Sequence, residues 1–456
     1  MAISSAGVGS GLNVQSIVSQ LVAVESQPVK LMQAKGSTLQ TKMSAFGQIK
    51  AELAALQDAA NALTSASTWN SKTLTSSNAA AVTGTATTDA LASTFSINVG
   101  TLAKGQSVYS NSVTTGFPIA AAGTFTITSS NGNTQTVTLV GGETLDGFAA
   151  KVNATTTANG VSASVVTNSL GEKQLMFRSS SIGANAAFQI ATTSADLQQF
   201  AYAGTDTATM KRGSTASDAT ANIDGINVSG ANNTLGSSLP GVTLNLLQGS
   251  TTAQVTIAVD KDAIKAKIQA FQDAYNKLYA DLKTQTAYNA ATKTGGPLLG
   301  DNTATSMQSM LRTLVGGSGP ASSTIKRLSD LGLEIQSDGS LKTNSTKLDS
   351  ALQDPSNVKA FFAASTGTAS EKGIAKRVYD FAFGALSVGG SASSHISAFQ
   401  KAIDLNNKSI ARFNTHIEAY QKQLLSQYNA LDTNMAKLSS LSSYVSQQIT
   451  TWNKSS

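Results

Sequence analysis

Side chains suited to acid–base or nucleophilic chemistry are scarce in this 456-residue chain: there are two histidines, His395 and His416, and no cysteine. Histidine is the usual general base near neutral pH and a common metal ligand. Neither histidine lies in a motif with a carboxylate, so both read as structural or solvated. No G-x-S-x-G elbow supplies an activated serine. The run from Gly100 to Gly105 is followed by Gln106, not by Lys-Ser/Thr, and is no phosphate loop. Asp260 and Asp262 read as a strand end and a helix start, not as a metal pair. The clusters GVGSG and GGSGP read as flexible loops, and Tyr275 and Tyr279 as core residues. The sequons at Asn153, Asn227 and Asn407 carry no weight without a secretory signal. The chain is expected to be no enzyme, with no catalytic residue, no cofactor and no metal.

The spacing that carries information is helical. Stepping in sevens from Ile396 gives Ile403, Ile410, Ile417, Leu424, Leu431, Leu438 and Val445, all aliphatic. Phe399, Phe413, Tyr420 and Leu441 follow four of these by three residues, and Tyr428 and Met435 follow two more by four. Alternation of three and four draws one narrow apolar seam along a helix. From Ile396 to Val445 that helix would be roughly 75 Å long, at about 1.5 Å per residue. Such a seam needs partner helices. Asn406, Gln427 and Asn434 fall among the seam positions, where polar residues set register and oligomer state.

Two further seams exist. Near the start, Asn13 is a candidate N-cap for a helix through Val14, Ile17, Val18, Leu21 and Val24, which Pro28 is expected to end. A second helix runs to about Leu63 with Met32, Leu39, Phe46, Ile49, Leu53, Leu56 and Leu63 along its seam, weakened by Gly36 and Gly47. After Lys261, the spacing of Ile264, Ile268, Phe271, Tyr275, Leu278 and Leu282 marks another helix. All three seams are candidate surfaces for helix pairing within or between copies. The terminal helices are expected to be weak alone, so that residues 1–65 and 395–456 order only in an assembly.

Between the helical ends the period drops to two. FSINV, TFTIT, TVTLV, VSASVV, LMFRS, VTLNLL and QVTIAV read as strands, with Asn131-Gly132 and Asp224-Gly225 as tight turns. ETLDGFAAKVNAT reads as a short helix with Leu145, Phe148 and Val152 inward. Past residue 300, a helix bearing Met307, Met310, Leu311 and Leu314 leads to a small module. In it, the Ser337-Asp338-Gly339 turn joins two strands. The fold class is therefore α+β and multidomain: coiled-coil-like helical legs and stalk from both chain ends, with an inserted two-module β-rich head. The expected organisation is a flexible N-terminal leg (1–40), a helical stalk with its β-turn module (41–69 and 261–394), head module 1 (70–110 and 205–260), head module 2 (111–204), and a long C-terminal helix (395–456). Residues 1–11 are expected to be disordered.

Composition narrows the class. Charged residues are only 13% of the chain, and the formal net charge of +6 is diffuse, with its excess in residues 261–456. That describes solvated helix faces better than a nucleic-acid surface. No apolar run is long enough to insert in a membrane, and no classical signal peptide opens the chain. The absence of cysteine fits export through a narrow conduit.

GVGSGLNVQSIVSQLVAVESQP at the start resembles the N-terminal signature of the flagellar hook-associated protein 2 family. DATANIDGINVSGANNTLGSSLPGVTLNLL, AFQDAYNKLYADL, GPLLGDN and LGLEIQSDGSLKTNSTKLDSALQDPSNVKAFF resemble its C-terminal region in order and spacing. GETLDGFAAKVNAT resembles a small β/α insertion of flagellar axial proteins. Asn13 and Asn344 stand where the family often has Asp. The resemblance implies a secreted, extracellular cap at the tip of the bacterial flagellum, exported through the flagellar type III system without a cleaved signal peptide. It implies a homo-oligomeric ring, usually of five subunits, with helical legs on the filament and heads forming a plate. The ring would stop flagellin leaking and promote its folding and insertion. Partners implied are further copies of the chain, flagellin, the hook–filament junction protein, the export chaperone and export apparatus and, for some members, host mucin. Alternatives left by the residues are another axial protein, such as flagellin or a junction protein, or an adhesin whose β-rich head binds glycans.

Overall fold

In the computed structural model, described residues are 13–113, 117, 119–155, 160–320, 323–365, 367–368 and 371–454. The expectation for residues 1–11 lies outside them. The chain divides into two compact units, Met1–Ser65 with Lys265–Ser456, and Ala66–Ile264.

The first unit opens with helices α1 (Val14–Glu25) and α2 (Gln27–Thr64). Asn13 caps α1, its Oδ1 accepting from Ser16 N at 3.0 Å. The break between the helices falls at Ser26, so Pro28 begins α2 instead of ending α1, and Gln27 is helical. Proline lacks only an N–H that a first turn does not use, and its fixed φ suits that turn.

The second unit begins with α3 (Ala66–Asn70) and continues through β1 (Lys72–Ser76), β2 (Val82–Ala86), β3 (Ser93–Val99), β4 (Ser107–Ser110), β5 (Gly123–Ser129) and β6 (Thr134–Leu139). After α4 (Leu145–Ala154) come β7 (Val161–Thr167), β8 (Lys173–Ser179), β9 (Phe188–Thr192), β10 (Met210–Ser214), β11 (Ala219–Ile223), β12 (Ile226–Gly230), β13 (Thr234–Leu239), β14 (Val242–Leu246) and β15 (Thr251–Val259). One module packs a five-stranded sheet, β1-β15-β3-β11-β12, with a three-stranded one, β13-β14-β2. Alternate residues such as Phe95, Ile97 and Val99 of β3 point into a core shared with Leu244, Leu246 and Val255. Asp224 and Gly225 both have positive φ (46° and 94°), the conformation that a two-residue hairpin of matching twist requires. Asp224 Oδ1 also accepts from Ser96 N at 2.8 Å.

The other module joins β10-β4-β8-β7 to β6-β5-β9 over an aromatic core. Phe125 meets Phe148 of α4 edge-on at 4.8 Å and stacks with Phe177 at 5.4 Å. Leu145, Phe148 and Val152 are buried, and Thr144 caps α4 through Gly147 N at 3.1 Å. Val108 of β4 and Met210 of β10 belong to this core. Residues 107–110 and 210–214, grouped by sequence with head module 1, therefore sit in the second module. Two crossing strands of mixed Ser, Arg and Met content show no period that assigns them to either core.

The chain then returns to the first unit through α5 (Lys261–Thr286), the β16–β17 hairpin (Tyr288–Asn289 and Thr294–Gly295), α6 (Asn302–Gly316) and α7 (Leu328–Leu331). A second hairpin, β18 (Leu333–Ile335) and β19 (Leu341–Thr343), precedes α8 (Ser345–Ala351), α9 (Pro355–Ala363), α10 (Ile374–Leu386) and α11 (Ser391–Lys454). Gly339 turns the β18–β19 hairpin at φ +92°, and a Cβ there would lie 2.3 Å from Tyr279 Oη. Tyr275 Oη donates to the Gly339 carbonyl at 3.1 Å, which fastens the hairpin to α5. Helix α11 starts at Ser391, not His395, because Ser391–Ser394 continue its first turn where a linker was expected.

Candidate assembly surface along the terminal helices

Helix α11 runs antiparallel to α1 and α2. Val14 and Val18 pack on Leu424, Glu25 Oε1 lies 3.4 Å from His416 Nε2, Asn406 reaches Met32, and Phe46 meets His395 and Phe399. Each step toward the C-terminus of the N-terminal helices meets an earlier residue of α11.

The seam residues fall into three groups. Phe46, Ile49, Leu53 and Leu56 of α2 and Ile264, Ile268, Phe271, Tyr275 and Leu278 of α5 are buried inside the subunit. Leu39, Ile396, Ile410 and Ile417 are half-buried, while Ile403 and Leu424 are buried. Beyond the end of α1 the seam comes into the open. Leu431, Leu438 and Val445 are exposed, as are Met435, Leu441 and Ile449 between and after them. Among the described residues, Tyr428 is the last of α11 packed on α1, and from there to Lys454 the helix runs roughly 40 Å at about 1.5 Å per residue.

For the buried half, the subunit itself supplies neighbours where the expectation looked to an assembly for them. Helix α2 also packs on α9 and α10 of its own chain, and its Phe46, Ile49, Leu53, Leu56 and Leu63 are buried. These intramolecular neighbours supply the burial that two weak helices lack alone.

Polar groups fix the register. Asn406, buried in the seam, donates from Nδ2 to the Met32 carbonyl at 2.8 Å. Gly36 makes room for it, since a Cβ there would lie 3.1 Å from Asn406 Nδ2. Gln427 and Asn434 are exposed and have no such role within the described fold. At the start of α11, Asp301 caps α6 through Thr303 N and Ala304 N, both at 3.0 Å, and its Oδ2 meets His395 Nε2 at 2.6 Å. The His395 ring packs on Phe46 and Phe399, each at 4.7 Å between centroids. Sequence reading left His395 without a partner; the Gly-Asp-Asn before α6 was the available signal.

Among the described residues no group of three or more His, Cys, Asp or Glu side chains could hold a metal ion. A polar cleft of about 350 Å³ in the β-rich unit is lined by Gln106, Gln189 and Arg212. Its guanidinium is engaged, Nε donating to Tyr202 Oη at 2.8 Å and Nη2 to the Gly204 carbonyl. No described helix is long and apolar enough to cross a membrane.

Two family models, for the N-terminus and the C-terminus of flagellar hook-associated protein 2, match residues 10–106 and 216–440. A flagellin hook IN motif matches residues 124–181, the span of β5 to β8 around α4. The A-type flagellar hook-associated protein 2 of Pseudomonas aeruginosa is 27% identical over 97% of this chain and 96% of its own length. The flagellar hook-associated protein 2 of Escherichia coli K12 is 28% identical over 98% of each. Among solved structures, the D1-D2-D3 domains of the Escherichia coli flagellar cap protein FliD superpose with a TM-score of 0.57 at 27% identity, covering 78% of this chain and 99% of that one. Fold and matches together define a structural protein of the flagellar cap class. The chain belongs to the flagellar hook-associated protein 2 family. Neither flagellin, a junction protein nor an adhesin is favoured by these matches.

Proposed function

We propose that this protein caps the distal, extracellular tip of the bacterial flagellar filament as a closed homo-oligomer, keeping flagellin from escaping and promoting its folding and insertion. The observation that carries the reading, beside the family, is the apolar seam of α11 that, among the described residues, outruns its intrachain partner. An exposed stripe of Leu431, Leu438 and Val445 on a roughly 40 Å arm is unfavourable in water unless another helix covers it. The occupants that fit are flagellin at the filament end and neighbouring subunits. Five subunits is the stoichiometry the family reading suggests. The export route without a cleaved signal, the chaperone and the hook–filament junction protein belong to the same proposal. The test is a deletion strain complemented with the full chain or with a chain ending near Leu425. The deletion and the truncation should both release monomeric flagellin and lack filaments. Filaments of normal length in the deletion strain would overturn the capping role; normal filaments with the truncated chain would remove the arm from it.

A further inference from the structure

The polar cleft of the β-rich unit has no part in the capping role. It opens in the aromatic-core module, with β5 and β9 on one side and β10 on the other. In the β5–β9 ladder Thr128 faces Gln189 and Ser129 faces Phe188. Gln106, buried just ahead of β4, clasps the Phe188 backbone. Its Nε2 donates to the carbonyl at 2.7 Å, and its Oε1 accepts from the N–H at 3.3 Å. Arg212 comes from β10. Residues two apart on a strand share a face, so Arg212 follows Met210, which is in the core, toward the end of the strand.

The guanidinium of Arg212 is fixed within the fold. Nε donates to the hydroxyl of buried Tyr202 at 2.8 Å, and Nη2 donates to the carbonyl of Gly204, a residue at φ +98°. Nη1 reaches Thr215 Oγ1 only at 3.5 Å. An arginine has five N–H donors, so these contacts leave one on each terminal nitrogen. Asp206 takes the backbone N–H of Arg212 at 3.0 Å, and among the described residues no carboxylate forms an ion pair with the guanidinium. The other residues lining the cleft are uncharged. A half-buried cation facing such a cleft favours an anion there.

We propose that this cleft binds a carboxylate, held by the two remaining N–H groups of Arg212 and bordered by Ser130, Gln189 and Thr215. One guanidinium matches one negative charge, and its planar donors match the two oxygens of a carboxylate. Sulfate or phosphate would bring charge for which the lining has no second cation. The volume of about 350 Å³ lies at the low end of small-ligand pockets, roughly 300–1,000 Å³. A small hydroxylated acid fits that space and its hydroxyl and amide rim, and an acidic side chain presented by another protein offers the same group. Because Tyr202 and Gly204 already hold the arginine, little of its rotamer freedom remains to be lost on binding.

The test is calorimetric titration of the full-length chain at constant ionic strength with gluconate, N-acetylglutamate α-amide, sorbitol and sulfate. Gluconate represents the free acid, the blocked glutamate a protein side chain, and sorbitol the same polyol without charge. Either carboxylate should bind and sorbitol should not; the tighter carboxylate names the source. Arg212→Lys should weaken binding about tenfold or more, because an ammonium keeps the charge and loses the planar fork. Thr215 is exposed, so its replacement spares the core. Thr215→Glu places a tethered carboxylate beside Nη1. It should abolish the response and melt higher than Thr215→Gln, which has nearly the same size, no charge, and should still bind. Silence with both carboxylates, or sorbitol or sulfate binding as tightly as they do, overturns the proposal. So does wild-type affinity in Arg212→Lys or Thr215→Glu. Should Arg212→Lys fail to fold, the comparison of Thr215→Glu with Thr215→Gln decides.

Discussion

Replacing Leu438 with aspartate should separate assembly from folding. Leu438 is 59% exposed on the arm of α11 beyond the α1 contact. In the free subunit an aspartate there should change stability by no more than about 0.5 kcal/mol, as for an ordinary surface site. If the arm is covered in the cap, the leucine gains there what it still exposes. Full burial of a leucine contributes about 1.5–3 kcal/mol, so the remaining half or so is worth roughly 1–2 kcal/mol in each subunit. An unpaired carboxylate in the same place adds a desolvation cost of several kcal/mol. Even about 3 kcal/mol per contact is a loss of roughly a hundredfold in affinity. Leu424→Asp is the control: Leu424 is buried against Val14 and Val18, so its change should lower subunit stability as well. The assays are thermal unfolding of the subunit, sedimentation velocity, and flagellin release from a complemented deletion strain. A Leu438→Asp protein that assembles and caps normally refutes the reasoning. A Leu438→Asp protein that melts as early as Leu424→Asp refutes it too, by showing that the arm is already buried in the subunit.

Other changes test the subunit itself. Leu53→Ala, in the α2 core, should cost about 2–5 kcal/mol in chemical denaturation, as large-to-small core changes do. Gly339→Ala should destabilise by more than about 1 kcal/mol, because it combines positive φ with a clash on Tyr279; calorimetry reads this as a lowered midpoint. Asn406→Ala should cost about 1 kcal/mol and speed hydrogen exchange in the stretch of α2 around Met32, where the register contact is lost. Burial pushes the Tyr275 phenol well above its ordinary value. The folded chain then keeps that proton where the unfolded chain loses it, so stability should fall as pH rises above about 10. Tyr275→Phe should flatten that alkaline decline in denaturation midpoints, at a cost of about 1 kcal/mol near neutrality for the lost hydrogen bond.

Much of the local structure was legible because it depends on residues near in sequence. The four–three spacing of Ile264 to Leu282 fixed one face of α5, and every residue of that stripe is buried. Asn13 capped α1 and Asp224-Gly225 turned a hairpin for reasons internal to a few residues. Other strands were not legible. β2, β10, β11 and β13 are rich in Ala, Gly, Ser and Thr, and without large alternating side chains period two leaves no trace. Pro28 misled because the same ring that stops a helix from within also starts one.

The sequence by itself determined that both ends of the chain are seamed helices around a β-rich insert, since amphipathic periods are written residue by residue. Only the tertiary structure decided how much of each seam is used inside the subunit. Leu424 and Leu438 occupy equivalent heptad positions, yet one is buried and the other open, because α1 reaches the first and not the second. The pairing of His395 with Asp301 was likewise decided there. Burial and charge pairing depend on which distant elements arrive at a residue, and a period records only which face that residue is on.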